Sequence, residues 1–111
     1  MTEHLYVRRL LAAYRQLPDA SGRVRAADRR LAVRLFGDQV PLELVTAAFQ
    51  LALARRRARP ADVPPLGTTR SLHYFLPVID EARTLDPVYL GYVVHRAQDD
   101  STRRQGGCHP R

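Results

Sequence analysis

Arginine supplies the most abundant chemistry in this sequence. All 18 basic residues are arginine and none is lysine. Two stretches concentrate them. One holds Arg55, Arg56, Arg57 and Arg59, and the other Arg23, Arg25, Arg29, Arg30 and Arg34. A guanidinium presents a planar fork that grips phosphate oxygens in pairs, and each neutralised phosphate releases counterions. A GC-rich coding sequence also favours arginine over lysine, and asparagine is missing too. Codon choice does not account for the excess of base over acid. Residues 1–60 hold 12 arginines against 5 acids, and residues 61–111 hold 6 against 6, so the first half carries the whole net charge of +7. Such asymmetry points to an anionic partner, most often nucleic acid.

Other chemistries find little support. His4, His73, His95 and His109 include no pair four apart, and Cys108 is the lone cysteine, so the roughly four ligands of a structural zinc site are not in view. No phosphate-cradling glycine loop and no nucleophile elbow occurs. Ser71 and His73 lie two apart, so on a helix they face different ways; Ser71 reads as a cap beside a surface histidine. Asp80–Glu81 and Asp99–Asp100 are sequence neighbours, which on a helix diverge by about 100° and serve solubility rather than acid–base work. The sequence predicts no catalytic site, no metal and no cofactor.

The elements that would position these arginines read as helices. Thr2 caps a helix over about Glu3 to Gln16, with Leu5, Tyr6, Leu10, Ala13, Tyr14 and Leu17 inward and Arg8, Arg9 and Arg15 on the wet side. Pro18 ends it. A second helix covers about Ala26 to Phe36, with Arg29, Arg30 and Arg34 along a polar face and Gly37 as its C-cap. A third begins at Pro41 and runs to about Arg57; Leu42, Val45, Ala48, Phe49 and Ala52 form its apolar stripe, and Leu44 and Leu51 a second edge, so it should be central. Residues 58–69, ARPADVPPLGTT, form a proline-rich connection that strides across the bundle. A fourth helix spans about Leu72 to Leu85, bent at Pro77; the alternative is a helix that starts at Pro77. A fifth follows Asp86 and Pro87 with Val88, Tyr89, Tyr92, Val93 and Arg96.

The expected fold class is all-α, a compact bundle of about five helices in one domain over residues 1–97, with a disordered basic tail over 98–111. No apolar run approaches the ~20 residues of a membrane span, and the first residues lack the apolar core of a signal peptide. With one cysteine nothing indicates an oxidising compartment, so a cytoplasmic location is expected.

The second and third helices have the layout of a helix-turn-helix around Gly37–Val40. The residues that would face base edges are Pro41, Leu42, Glu43 and Leu44, and the arginines sit at the opposite end, so major-groove readout by this helix is not expected. Backbone contact is. The run VPLELVTAAFQLALARR, the proline-rich connection and RSLHYFLPVIDEA together resemble the helical C-terminal modules of replication-initiation and helicase-loading proteins of the DnaD kind and similar mobile-element proteins. Gly37, Pro41, Val45, Ser71, Leu72, Tyr74 and Phe75 carry the resemblance, which covers about residues 26–97. No winged-helix domain precedes the module here, and the connection is longer and richer in proline. The resemblance implies DNA association, self-association and a helicase, initiator or recombinase as partner, without catalysis. It implies DNA contact for Tyr74 and packing for Phe75.

The sequence thus leads to a non-catalytic accessory protein of a replication, transposition or recombination complex that holds nucleic acid, DNA rather than RNA. The expected contacts are Arg29, Arg30, Arg34, Arg55, Arg56, Arg57, Arg59 and Tyr74. The alternative is a protein–protein adaptor or small assembly subunit whose arginines meet an acidic partner and whose Tyr89 and Tyr92 supply interface aromatics. One continuous arginine stripe would favour the first; scattered arginines beside an exposed apolar patch would favour the second.

Overall fold

The computed structural model of the protein describes residues 1–18, 20–59, 62 and 67–106, the last six of these by backbone alone. Five helices carry the fold: α1 (Glu3–Arg15), α2 (Ala26–Gly37), α3 (Leu42–Arg57), α4 (Leu76–Arg83) and α5 (Pro87–Gly106), with a 3-10 turn over Leu72–Phe75 leading into α4. The described residues form no strand; Ala20 and Thr69 make one isolated bridge. The expected path of the proline-rich connection falls largely on residues outside those described.

Local chemistry starts most of these helices where the sequence predicts. The Thr2 hydroxyl accepts from the Leu5 amide at 3.2 Å, and Glu3 faces the positive end of the helix. The Asp86 carboxylate accepts from the amides of Val88 and Tyr89 at 3.0 and 3.4 Å. Pro41 is the N-cap rather than the first helical residue of α3, with φ −61° and ψ 142°. Pro77 lies in the first turn of α4, so the bent continuous helix is replaced by a tight turn followed by a new helix. The first-turn amides have no intrahelical partner anyway, so proline costs nothing there.

Gly37 is not the left-handed cap. It is the last helical residue of α2, and the left-handed residue is Gln39, with φ 60°. The Val40 amide reaches back to the Leu35 carbonyl at 3.1 Å and the Gln39 amide to that of Phe36 at 3.0 Å. This is a Schellman closure, and buried Val40 and Leu35 provide its apolar contact. A non-glycine residue in this conformation costs about 1 kcal/mol. Gln39→Gly should therefore raise stability by about 0.5–1 kcal/mol, part of the relief being offset by glycine's freedom in the unfolded chain. Chemical denaturation measures this directly; a net loss would assign the Gln39 side chain a contact of its own.

Helix α3 is central. Val45, Ala48, Phe49, Leu51 and Ala52 are all buried, and one apolar cluster takes side chains from all five helices. Phe75 lies edge-on to Phe49 at 4.9 Å and to Tyr14 at 6.1 Å, joining the turn before α4 to α3 and α1. Helix α5 buries Leu90 and Val94, with Val93 and Ala97 partly covered. Of the residues named from sequence for this helix, Val93 is partly covered, and Val88, Tyr89 and Tyr92 face solvent. An aliphatic side chain loses more by exposure than a tyrosine, whose hydroxyl prefers water. Helix α5 also continues to Gly106, well into the segment read as a disordered tail; residues 107–111 lie outside those described. The polar run is compatible with helix, and the attraction of Asp100 for Arg96, four residues earlier, supports it.

Candidate nucleic-acid interface

Four contacts gather the arginine-bearing ends of three helices at one pole. The Ser21 amide donates to the Thr69 carbonyl at 2.8 Å, joining the α1–α2 turn to the segment before α4. The Asp28 carboxylate accepts from the Arg25 amide and the Leu72 amide, each at 2.9 Å, fastening the start of α2 to that same segment. Arg56, at the end of α3, donates to the Gly67 carbonyl at 2.6 Å. Arg15, Arg23, Arg25, Arg29, Arg70 and the α3 group from Arg55 to Arg59 therefore share this end of the bundle. At the other end the Tyr6 hydroxyl donates to the Val40 carbonyl at 2.7 Å, and burial pushes its pKa up.

Between α1 and the start of α2 runs a groove of about 430 Å³ lined by His4, Val7, Arg8, Leu11, Ala12, Arg15, Val24 and Arg29. None of its lining residues is acidic. Arg8 and Arg15, two turns apart on α1, face Arg29 from α2, and among the described residues none of the three makes an ion pair. Sequence reasoning placed Arg8 and Arg15 on the wet side and left them out of the binding set. Their seven-residue spacing was the available signal, since it aligns them on one helix face.

The α3 group is also brought together. Arg55, Arg56, Arg59 and Tyr74, with Ala52 and Val78, line a second pocket of about 250 Å³. Arg55 and Arg56 show how these side chains are engaged within the protein. Arg55 makes a two-pronged pair with Glu81, both contacts at 2.8 Å, and the hydrogen bonds hold the Glu81 carboxyl below its ordinary range while raising Arg55. Arg56 donates to the Tyr74 hydroxyl at 2.9 Å as well as to Gly67, its guanidinium 5.3 Å from the Tyr74 ring centre. These side chains stiffen the pole before any ligand arrives. Arg57 is exposed and outside the pocket lining. Arg34 lies 3.9 Å from Asp38 on the far half of α2, and Arg30 is exposed. The seven predicted arginines thus divide between a groove, a pocket and a helix flank instead of forming one row.

Ser71 and His73 do not diverge. Ser71 is extended, with φ −147°, so it caps the turn: its hydroxyl accepts from the His73 amide at 3.1 Å and sits 3.4 Å from the ring Nδ1. Asp28 touches Ser71 rather than His73, at 3.5 Å, so the order needed for a relay through histidine is not formed. Among the described residues no three His, Cys, Asp or Glu side chains are grouped to hold a metal ion. Cys108 and His109 lie outside the described residues. No described helix is long and apolar enough to cross a membrane.

No family model matches this chain, and neither a curated protein nor a solved structure matches it. The positions that carry the DnaD-like resemblance occupy structural posts: Pro41 and Ser71 are caps, and Val45, Leu72 and Phe75 are buried core. Tyr74 is the surface member, 43 % exposed and bonded to Arg56.

Proposed function

We propose that this chain is a non-catalytic nucleic-acid-binding accessory protein that holds the phosphate backbone with little sequence preference. The observation that carries the reading is the α1–α2 groove, where Arg8, Arg15 and Arg29 converge with no acidic residue in its lining. The arginine pole beside it extends the positive surface. Forked guanidinium groups suit phosphate oxygens, and the absence of base-reading side chains at the start of α3 leaves recognition to the backbone. A place in a replication, transposition or recombination complex, with a helicase, initiator or recombinase as partner, draws on the resemblance alone. The adaptor reading draws on another surface, the exposed Val88, Tyr89 and Tyr92 of α5.

Fluorescence anisotropy with short single-stranded and duplex DNA across a salt series tests the reading. With about five phosphates held on duplex, log K should fall against log salt with a slope of roughly −4 to −5. Replacing Arg8, Arg15 and Arg29 together by alanine should lessen that slope by about 2.5, since each lost phosphate contact removes about 0.9. Arg55→Ala should change it less, because Glu81 already offsets that charge. No binding at low salt, or a slope unmoved by the triple replacement, would overturn the assignment of this groove.

A further inference from the structure

We infer that His4 is a proton-dependent phosphate contact of the α1–α2 groove, so that the hold on nucleic acid tightens as pH falls through the range in which imidazole titrates. This role rests on the phosphate-binding reading of the groove. His4 borders the groove with Arg8, Arg15 and Arg29. On α1 it stands one turn before Arg8, about 6 Å along the helix axis, and Arg15 follows two turns later on the same face. The three side chains form a row of one titratable group and two permanent cations, with Arg29 facing it from α2. His4 is exposed, and among the described residues its ring makes no hydrogen bond and no ion pair. It is free to meet a ligand, unlike His73, whose ring lies 3.4 Å from the Ser71 hydroxyl.

No carboxylate screens the ring inside the groove. Glu3 precedes His4 but projects about 100° round the helix, and it is not among the lining residues. Glu43 of α3 and Met1 border the cavity on the Tyr6 side of α1, which His4 does not line. At the nearby end of α2, Arg34 lies 3.9 Å from Asp38, and neither borders the groove. The charged groups that share the groove with His4 are therefore cations: Arg8 and Arg15 from α1 and Arg29 from α2. A neutral ring adds little to such a site. A phosphate seated among the arginines brings negative charge beside the imidazole, which favours the protonated ring, and both ring nitrogens then donate. Binding and protonation thus reinforce each other. The complex takes up a proton around the ordinary imidazole pKa of about 6.5, and affinity rises on the acid side of it.

Anisotropy with a duplex oligonucleotide at about pH 7.5 and 5.5, either side of the imidazole range, tests this on the full chain. Affinity should rise about five- to tenfold at the lower pH, and the salt slope should deepen by about 0.5–0.9, as expected for up to one added phosphate contact. His4→Gln should bind equally at the two pH values, with an unchanged helical spectrum because the side chain is exposed. His4→Arg fixes the charge and should also lose the pH dependence, but at the tighter level. His73→Gln and His95→Gln should keep the full response. Arginine-dependent binding without a pH response, or a response that survives His4→Gln, would overturn the role of His4 and leave the groove in place. Binding indifferent to the joint replacement of Arg8, Arg15 and Arg29 would overturn both.

Discussion

Asp28→Ala should lower the stability of this protein by about 3–5 kcal/mol. Asp28 is 1 % exposed and is the one buried charged residue among the described residues. Its two oxygens accept from the Arg25 and Leu72 amides, both at 2.9 Å, so one carboxylate closes the first turn of α2 and anchors the segment that leads into α4. Alanine would leave both amides without an acceptor, at about 1–3 kcal/mol each, and would also remove a negative charge from the positive end of α2. Against a typical total of about 5–15 kcal/mol this is a large share. Asp28→Asn keeps one acceptor oxygen and the shape, and should cost about half as much. Urea unfolding followed by far-UV circular dichroism measures both. A loss below about 1 kcal/mol for alanine would mean that water or a shifted backbone satisfies those amides. Burial, with a smaller contribution from Asp28, raises the pKa of the Tyr14 hydroxyl.

Phe75→Ala is the second large loss, about 3–5 kcal/mol, the range found for emptying an aromatic site in a core. Phe75 is 1 % exposed and lies edge-on to Phe49, Tyr14 and Tyr74 at 4.9, 6.1 and 5.1 Å. Three elements meet at this ring, so the cavity cannot close by moving one of them. Phe75→Leu retains most of the volume and should cost about 1–1.5 kcal/mol. Neighbouring Tyr74 is half exposed, and Tyr74→Ala should cost far less, its loss confined to the Arg56 hydrogen bond and one ring contact. Equal losses at the two positions would show that the surface tyrosine, not the core phenylalanine, holds this junction.

The caps and stripes of this fold were legible because they are local. Thr2, Asp86 and the α3 stripe from Val45 to Ala52 each announce themselves within one or two turns of sequence. What depends on distant partners was not. Asp28 bonds across 44 residues to Leu72, and Arg55 across 26 to Glu81, so one reads as an ordinary helical acid and the other as a free cation. The inward face of α5 could not be assigned because Val88, Tyr89 and Tyr92 and the set Leu90, Val93, Val94 and Ala97 both recur at helical spacing; only packing against α3 chooses between them. The arginine groove escaped for a related reason, since it exists only where α1 and α2 meet.

The opposed ends of the bundle have a consequence for approach from a distance. Arg23, Arg25, Arg57 and Arg70 are exposed at one pole, whereas Glu3 and Glu43 are exposed around the other end of α1 and the start of α3, where Arg34 offsets Asp38. Charge separated in this way is a permanent electric dipole along the bundle, and a dipole in a field experiences a torque. Near a polyanion that torque acts over about a Debye length, ~8 Å at physiological ionic strength and further in dilute salt. The molecule would then be turned arginine-end first before the surfaces touch. Encounters in the wrong orientation become rarer, and the association rate rises without a single added contact.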